Sequence, residues 1–351
     1  MVIDMHAHWV PPVIAAALRA RRSAPMIARR PNGEEYLDNG GPIPLWLPEG
    51  FDDDVETRLA KMDQGGVGHG LLSLATQYRI EWLPTDQALP LCRAFNDAVS
   101  QACESHPDRF SGLAVLPALD ANSALAEFER SMSLPGIVGA LLIGDAFLTV
   151  KRAERYQDIL AAANDRNAIL FVHYGQLPDD QEAPQVDTSD SAFVRIVTLD
   201  FQARLSSNMV TFCLTDLLKD YPNVTVMSHN LGGNIAFEIE RMDHRALIDQ
   251  GPDAPLPSKR FRDANILVDC NSLGARAIEL ATAVFGADKV VFGTDGSMFG
   301  AQWSLDAIRD ARISDHEKQA ILELNAAAAL ARARAGAHHA ARHVMARTPS
   351  Q

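Results

Sequence analysis

Histidine occupies positions 6 and 8 with a single alanine between them. Residues two apart on an extended strand project to the same face, so both imidazoles can address one point in space. Three further groups with the same chemistry each close a short apolar run. His173 ends Leu170-Phe171-Val172-His173, His229 ends Val226-Met227-Ser228-His229, and Asp295 follows Val291-Phe292-Gly293-Thr294. Imidazole nitrogen and carboxylate oxygen are the donors that Zn²⁺ and Mn²⁺ take, with a coordination position left for water or substrate. The expected ligands are His6, His8, His173 and Asp295, holding one divalent metal per chain, Zn²⁺ first and Mn²⁺ second. His229 then remains for proton transfer, since imidazole titrates near pH ~6.5. A single histidine at a strand end is ordinarily a turn or core residue. Acid or imidazole groups closing four separate strands ask for a common purpose. The other histidines are background: His69 lies inside a strand, His106 precedes a proline, His244 and His316 belong to helical or surface stretches, and His338, His339 and His343 sit near the end of the chain.

The elements that must carry these groups follow from hydrophobic periodicity. Eight short apolar or β-branched runs, at 2–5, 67–74, 112–117, 138–143, 169–172, 224–228, 266–269 and 290–293, are bounded by turn residues. Helical segments alternate with them, among them 85–105, 122–132, 153–166, 235–248 and 275–285. Several runs are apolar on both faces, as strands of a parallel sheet covered by helices are. Eight β/α alternations without a break in composition predict an α/β fold, a (β/α)₈ TIM barrel, as a single domain over 1–335 with a flexible tail at 336–351. In that barrel His6, His8, His173, His229 and Asp295 sit at the C-terminal ends of strands 1, 5, 6 and 8. Residues 20–50 carry Pro-Asn-Gly and Asn-Gly-Gly turn signals and predict a small hairpin insertion after the first strand. Residues 176–190, rich in Asp, Pro and Gln, form a second long loop at the same mouth.

Composition bounds the function. The 351 residues are 47% hydrophobic, with 45 acidic against 32 basic side chains and a formal charge of −13. No basic block interleaves with aromatics, which argues against a nucleic-acid partner. The four cysteines form no C-x-x-C pair, which argues against a disulfide framework or a structural zinc site. The opening MVIDMHAHWVPP lacks the basic and apolar regions of a secretory leader, and no run of ~20 apolar residues could span a bilayer. A cytoplasmic enzyme acting on a small molecule is expected.

The segments IDMHAH, RLAKMDQGGV, FNDAVSQACESHPDRFSGLAVLP, LFVHYG, MSHNLGG followed by ERMD, VVFGTDG and a late LNAAAAL occur in the order seen in the amidohydrolase superfamily. From residue 1 to about 330 the chain resembles its branch containing aminocarboxymuconate-semialdehyde decarboxylase and γ-resorcylate decarboxylase. The resemblance implies the same ligand set, with His229 as the catalytic histidine, and a homodimer. Binuclear barrels of this superfamily bridge their ions with a lysine at the end of strand 4; here that strand ends Leu142-Ile143-Gly144-Asp145, which points to one metal. Three departures border the pocket. No arginine near residues 36–50 matches the one that holds a substrate carboxylate in the aminocarboxymuconate enzyme, His173-Tyr174 replaces His-Pro, and His229 is followed by Asn230-Leu231-Gly232-Gly233 in place of a shorter glycine turn. Arg79, Tyr174, Gln176 and Asn230 are accordingly the candidate substrate contacts. The expected reaction is non-oxidative decarboxylation of an unsaturated or aromatic carboxylic acid, with Asp295 and His229 moving the proton. The alternative is metal-dependent hydrolysis of a lactone, an amide or a C–C bond in a ring-fission product.

Overall fold

The computed structural model describes residues 1–41, 44–178, 180, 189–296 and 300–347, with side chains as far as 336. Eleven strands occur among them in two sheets. β1 (Val2–His8) is followed by β2 (Met26–Arg29), β3 (Glu35–Asp38) and β4 (Leu45–Trp46). Then come β5 (Val67–Ser73), β6 (Phe110–Ala114), β7 (Ile137–Ile143), β8 (Ile169–His173), β9 (Thr225–Ser228), β10 (Ile266–Asp269) and β11 (Val290–Val291). The large sheet has the order β1-β5-β6-β7-β8-β9-β10-β11, every pair parallel. Across the remaining seam Met5 N–H donates to Phe292 O at 2.9 Å and joins the last strand to the first. This is the (β/α)₈ barrel expected, with all eight runs present as strands. The insertion contains more than the expected hairpin: β2, β3 and β4 form a three-stranded antiparallel sheet. Two glycine turns, at Gly33 and Gly40, both with positive φ, reverse the chain twice and so make room for the third strand.

Helices cover the barrel with faces readable in the sequence. In the helix Thr85–Ser105, Ala88, Cys92, Phe95, Val99 and Ala102 recur at three- and four-residue spacing and are buried against β6. Asp120 caps the helix Ala121–Ser131 by accepting from the N–H groups of Asn122 and Ser123. The barrel interior divides by height. Toward the N-terminal ends of the strands it is apolar, built from Ile3, Leu71, Leu113, Val138, Ile169, Met227 and Leu267. The helix Asn325–Arg347 closes that end by inserting Ala326, Leu330 and Ala333 into the same cluster. Its approach requires glycine at 336, where a Cβ would stand 2.0 Å from Arg166 O. The backbone of the expected flexible tail is helical as far as Arg347, and its last residues, 348–351, lie outside the described residues. Among the described residues no helix is long and apolar enough to cross a membrane.

If the terminal helix is the floor of the barrel, Leu330→Ala removes a side chain that is 3% exposed and leaves a cavity. Such truncations cost about 2–5 kcal/mol. Denaturant unfolding should show that loss with metal binding at the opposite end unchanged; a loss below about 0.5 kcal/mol, the size of an ordinary surface substitution, would remove the helix from the core.

Candidate metal centre

The ends of three barrel strands bring four polar groups together. His6 and His8 project inward from β1, His173 ends β8, and Asp295 lies four residues beyond β11. The ligand-type atoms of His6, His8, His173 and Asp295 all lie within 4.8 Å of one another. His8 Nε2 stands 2.9 Å from His6 Nε2 and 3.1 Å from His173 Nε2. Asp295 Oδ1 is 3.4 Å from His6 Nε2 and 3.2 Å from His8 Nε2. A tetrahedral zinc site with Zn–N bonds of ~2.0–2.1 Å has edges of ~3.3 Å, so these separations fit one cation. Among the described residues this is the cluster of metal-ligand type, and β7 is followed by Gly144 and Asp145 where a bridging lysine would stand.

The outer nitrogens explain why the inner ones converge. His6 Nδ1 lies 3.1 Å from Asp269 Oδ2 and 2.9 Å from Asn271 Nδ2, His8 Nδ1 lies 3.0 Å from Ser73 Oγ, and His173 Nδ1 lies 2.9 Å from Tyr174 O and 3.1 Å from Thr76 Oγ1. The Asp269 carboxylate and the Tyr174 carbonyl can only accept, so they place the ring hydrogens of His6 and His173 on Nδ1 and turn the Nε2 lone pairs inward. The Ser73 hydroxyl can accept likewise from His8, and the Asn271 amide nitrogen is a donor that also bonds Asp269 Oδ1. Phe171, fully buried, packs edge-on beneath His6 with ring centroids 4.8 Å apart and floors the cluster. Asp295 adopts a left-handed backbone at φ 60°, and the following Gly296, φ 63°, has no room for a side chain, because a Cβ would meet His8 N at 2.5 Å.

Charge is arranged for a cation. Burial holds the His8, His173 and His229 imidazoles below the usual histidine range, which favours their neutral form. For His6 burial acts in the same direction, but the Asp269 and Asp295 carboxylates outweigh it and raise its pKa. Burial alone would raise Asp295; the surrounding imidazoles, His6 first, overcome it and hold the carboxyl at about 2.

His229 stacks on His173, with centroids 4.2 Å apart and planes at 23°, and its ring lies 5.5 Å from that of His6. The four candidate substrate contacts are differently placed. Tyr174 stacks on Phe201 and donates its hydroxyl to Asp200 at 3.3 Å. Asn230, in the left-handed region at φ 49°, has a buried Oδ1 without a hydrogen-bond partner. Gln176 is half-buried on the loop after β8. Arg79 is turned toward the insertion, its guanidinium 4.0 Å over the Trp82 ring and donating to Asn39 O at 3.0 Å. Sequence reasoning passed over Asp269, Asn271, Ser73, Thr76 and Asp4. Asp269 closes β10 as His173 closes β8, and the strand-end criterion applied to every run finds it. Asp4 gave no such signal. Its carboxylate accepts from His6 N–H at 3.0 Å, Thr294 N–H at 3.1 Å and Thr294 Oγ1 at 2.6 Å, pinning β1 to the segment that carries Asp295.

A parallel eight-stranded barrel with three imidazoles and a carboxylate converging at its C-terminal end is the scaffold of a metal-dependent enzyme. Residues 3–332 match the amidohydrolase family, and the chain belongs to it. The γ-resorcylate decarboxylase of Rhodococcus jostii is 26% identical over 236 residues, 63% of this chain and 71% of that protein. Among solved structures, the apo form of Metarhizium anisopliae IDCase superposes with a TM-score of 0.77 at 19% identity, covering 95% of this chain and 97% of that one. The 5-carboxyvanillate decarboxylase of Novosphingobium aromaticivorans, complexed with manganese and 4-hydroxy-3-methoxy-5-nitrobenzoic acid, superposes with a TM-score of 0.70 at 18% identity over 94% and 96% of the two chains. The two structural matches speak for the fold.

One acid at the mouth gives a pH test. Glu81, on the loop that carries Arg79, is buried with Oε1 unpartnered, and burial pushes its carboxyl up to about 8. The unfolded chain ionises this group from its ordinary 4.5, whereas the folded chain keeps the proton until about 8. Its contribution to stability therefore falls as pH rises between those values, by at most ~5 kcal/mol. Glu81→Gln should raise Tm over the parent at pH 8 and change it little at pH 5. Parallel Tm–pH curves for the two proteins would rule this out.

Proposed function

We propose that this chain is a metal-dependent decarboxylase of an aromatic or unsaturated carboxylic acid, using one divalent cation held by His6, His8, His173 and Asp295. The observation that carries the reading is the convergence of three imidazole Nε2 atoms and one carboxylate held ionised, all within 4.8 Å, in a chain whose relatives are decarboxylases. Zn²⁺ suits the nitrogen-rich donor set, and Mn²⁺ is the ion in the 5-carboxyvanillate enzyme. A bound cation would gather the substrate carboxylate with a neighbouring oxygen and stabilise negative charge as CO₂ departs. The chain's own groups then manage the proton. When the C–C bond to the carboxyl breaks, its electron pair stays on the ring or chain carbon, and a proton drawn from solvent, moved through His229 and Asp295, forms the new C–H bond. Asn230, with its unpartnered Oδ1, and Tyr174, Gln176 and Arg79 are assigned to substrate. The four cysteines are buried and unpaired, in keeping with a cytoplasmic setting. A second copy of this chain is the proposed partner, and exposed Phe193, Val194, Leu199 and Phe237 supply apolar surface for it.

Elemental analysis should find close to one divalent metal per chain, and His6→Ala and His173→Ala should lose metal and activity together; full occupancy in both variants would overturn the ligand set. Loaded enzyme given a panel of hydroxybenzoates, carboxymuconates and ring-fission products should release CO₂. Hydrolysis of a ring-fission product without CO₂ release would replace the decarboxylase reading by the hydrolase one.

The role of His229 separates from that of a ligand by substitution. His229→Asn should keep its metal and lose about 10²–10⁴-fold in turnover, because asparagine exchanges no proton near neutral pH. Asp295→Asn should in addition bind metal more weakly, a neutral amide replacing an anionic donor. Near-normal turnover in metal-replete His229→Asn would remove it from the chemistry.

A further inference from the structure

Of the four ligand-type groups only Asp295 lies outside a strand, delivered by the residues that follow β11. Its backbone is left-handed at φ 60°, a conformation that residues other than glycine keep only where their surroundings hold them in it. One hydroxyl grips the chain on both sides of it. Thr294 Oγ1 donates to Asp4 Oδ2 at 2.6 Å and accepts from the Gly296 N–H at 3.0 Å. The Thr294 N–H donates to Asp4 Oδ1 at 3.1 Å, and the same oxygen takes the His6 N–H at 3.0 Å. The residues flanking Asp295 are thus tied to one side chain and, through Asp4, to the strand that carries His6 and His8. Gly296 shuts the turn from the other direction: a Cβ there would meet His8 N at 2.5 Å and His8 O at 2.6 Å, so this backbone lies directly against β1. Thr294 is itself buried and β-branched, which restricts its χ1 and keeps Oγ1 in place.

We propose that Thr294 is a positioning residue for the metal centre, its hydroxyl fixing the turn that aims the Asp295 carboxylate at the three imidazoles and so setting how tightly the cation is held. Without that oxygen, Asp4 Oδ2 and the Gly296 N–H each lose a hydrogen bond. The left-handed residue between them can then relax, carrying its carboxylate away from His6 Nε2 and His8 Nε2, from which it stands 3.4 and 3.2 Å. The inference rests on Asp295 serving as a ligand, as proposed above, and on nothing about the reaction.

Titration with Zn²⁺ against a competing chelator tests it. Thr294→Val keeps the shape of the side chain and removes the oxygen, and Zn²⁺ affinity should fall about 10–100-fold, as when the support behind a ligand is lost. Thr294→Ser keeps the oxygen and should bind as the parent does. Leu330→Ala lowers stability at the opposite end of the barrel and should also bind as the parent does, which separates aim from stability. Co²⁺ in place of Zn²⁺ gives a second reading, because its visible absorption reports ligand geometry: the bands should change in Thr294→Val and persist in Thr294→Ser. In the metal-free parent the Gly296 amide should exchange slowly with solvent, being held by Oγ1. Rapid exchange there overturns the proposal even where Thr294→Val does not fold. Unchanged affinity and unchanged bands in Thr294→Val overturn it as well, and so does an equal loss in Thr294→Ser. Full Zn²⁺ affinity in Asp295→Asn would overturn it together with the ligand set, whereas Zn²⁺ binding as expected without CO₂ release would sink the decarboxylase reading alone.

Discussion

Three imidazole lone pairs and one carboxylate point at the same small volume. Nitrogen lone pairs 2.9 and 3.1 Å apart repel one another, and burying them removes the water that would otherwise bond to them. Such an arrangement persists only where each ring is held from behind, and it becomes favourable only when a cation enters. The supports are Asp269 and Asn271 for His6, Ser73 for His8, and Tyr174 O with Thr76 for His173. The two supports that can only accept, Asp269 and the Tyr174 carbonyl, set a tautomer as well as an orientation. Removing one would free a ring to turn its N–H inward, toward the Asp295 carboxylate or a neighbouring lone pair.

β1, which carries two of the donors, lies between β5, which supplies Ser73, and β11, beyond which the chain reaches Asp295. The seam between β1 and β11 is the weak point of the sheet, because β11 is only two residues long. A buried carboxylate reinforces it. Asp4 accepts from the His6 N–H on one side and from both Thr294 donors on the other, so the backbone at His6 and the segment leading to Asp295 are tied to one side chain. The left-handed Asp295 backbone stores about 1–3 kcal/mol of strain, which the surrounding contacts hold in place.

Stability and chemistry are separated along the barrel axis. At the N-terminal end of the strands the interior is filled by aliphatic side chains and by the terminal helix, whose run of small residues lets it approach closely. At the C-terminal end the polar cluster rests on Phe171, the boundary between the two regions. Apolar packing below lets the upper layer carry buried polar groups that contribute little to folding.

The amino-acid sequence by itself determined the eight strands, because each is a short apolar run bounded by turn residues and that pattern is local. It also determined which imidazoles and carboxylate end those strands, since residues two apart on a strand share a face and strand ends share a barrel mouth. The third strand of the insertion, only Leu45–Trp46, was too short to carry a pattern of its own. The supports were decided by tertiary structure alone. Asp4 meets Thr294 across 290 positions and His6 meets Asp269 across 263, separations at which no spacing rule operates. Tyr174 was legible as a pocket side chain, yet its closest dealings with the histidines run through its peptide N–H and carbonyl. Every residue but proline carries that N–H, so residue type leaves no trace of the contact, and only the folded chain decides which peptide group faces which ring.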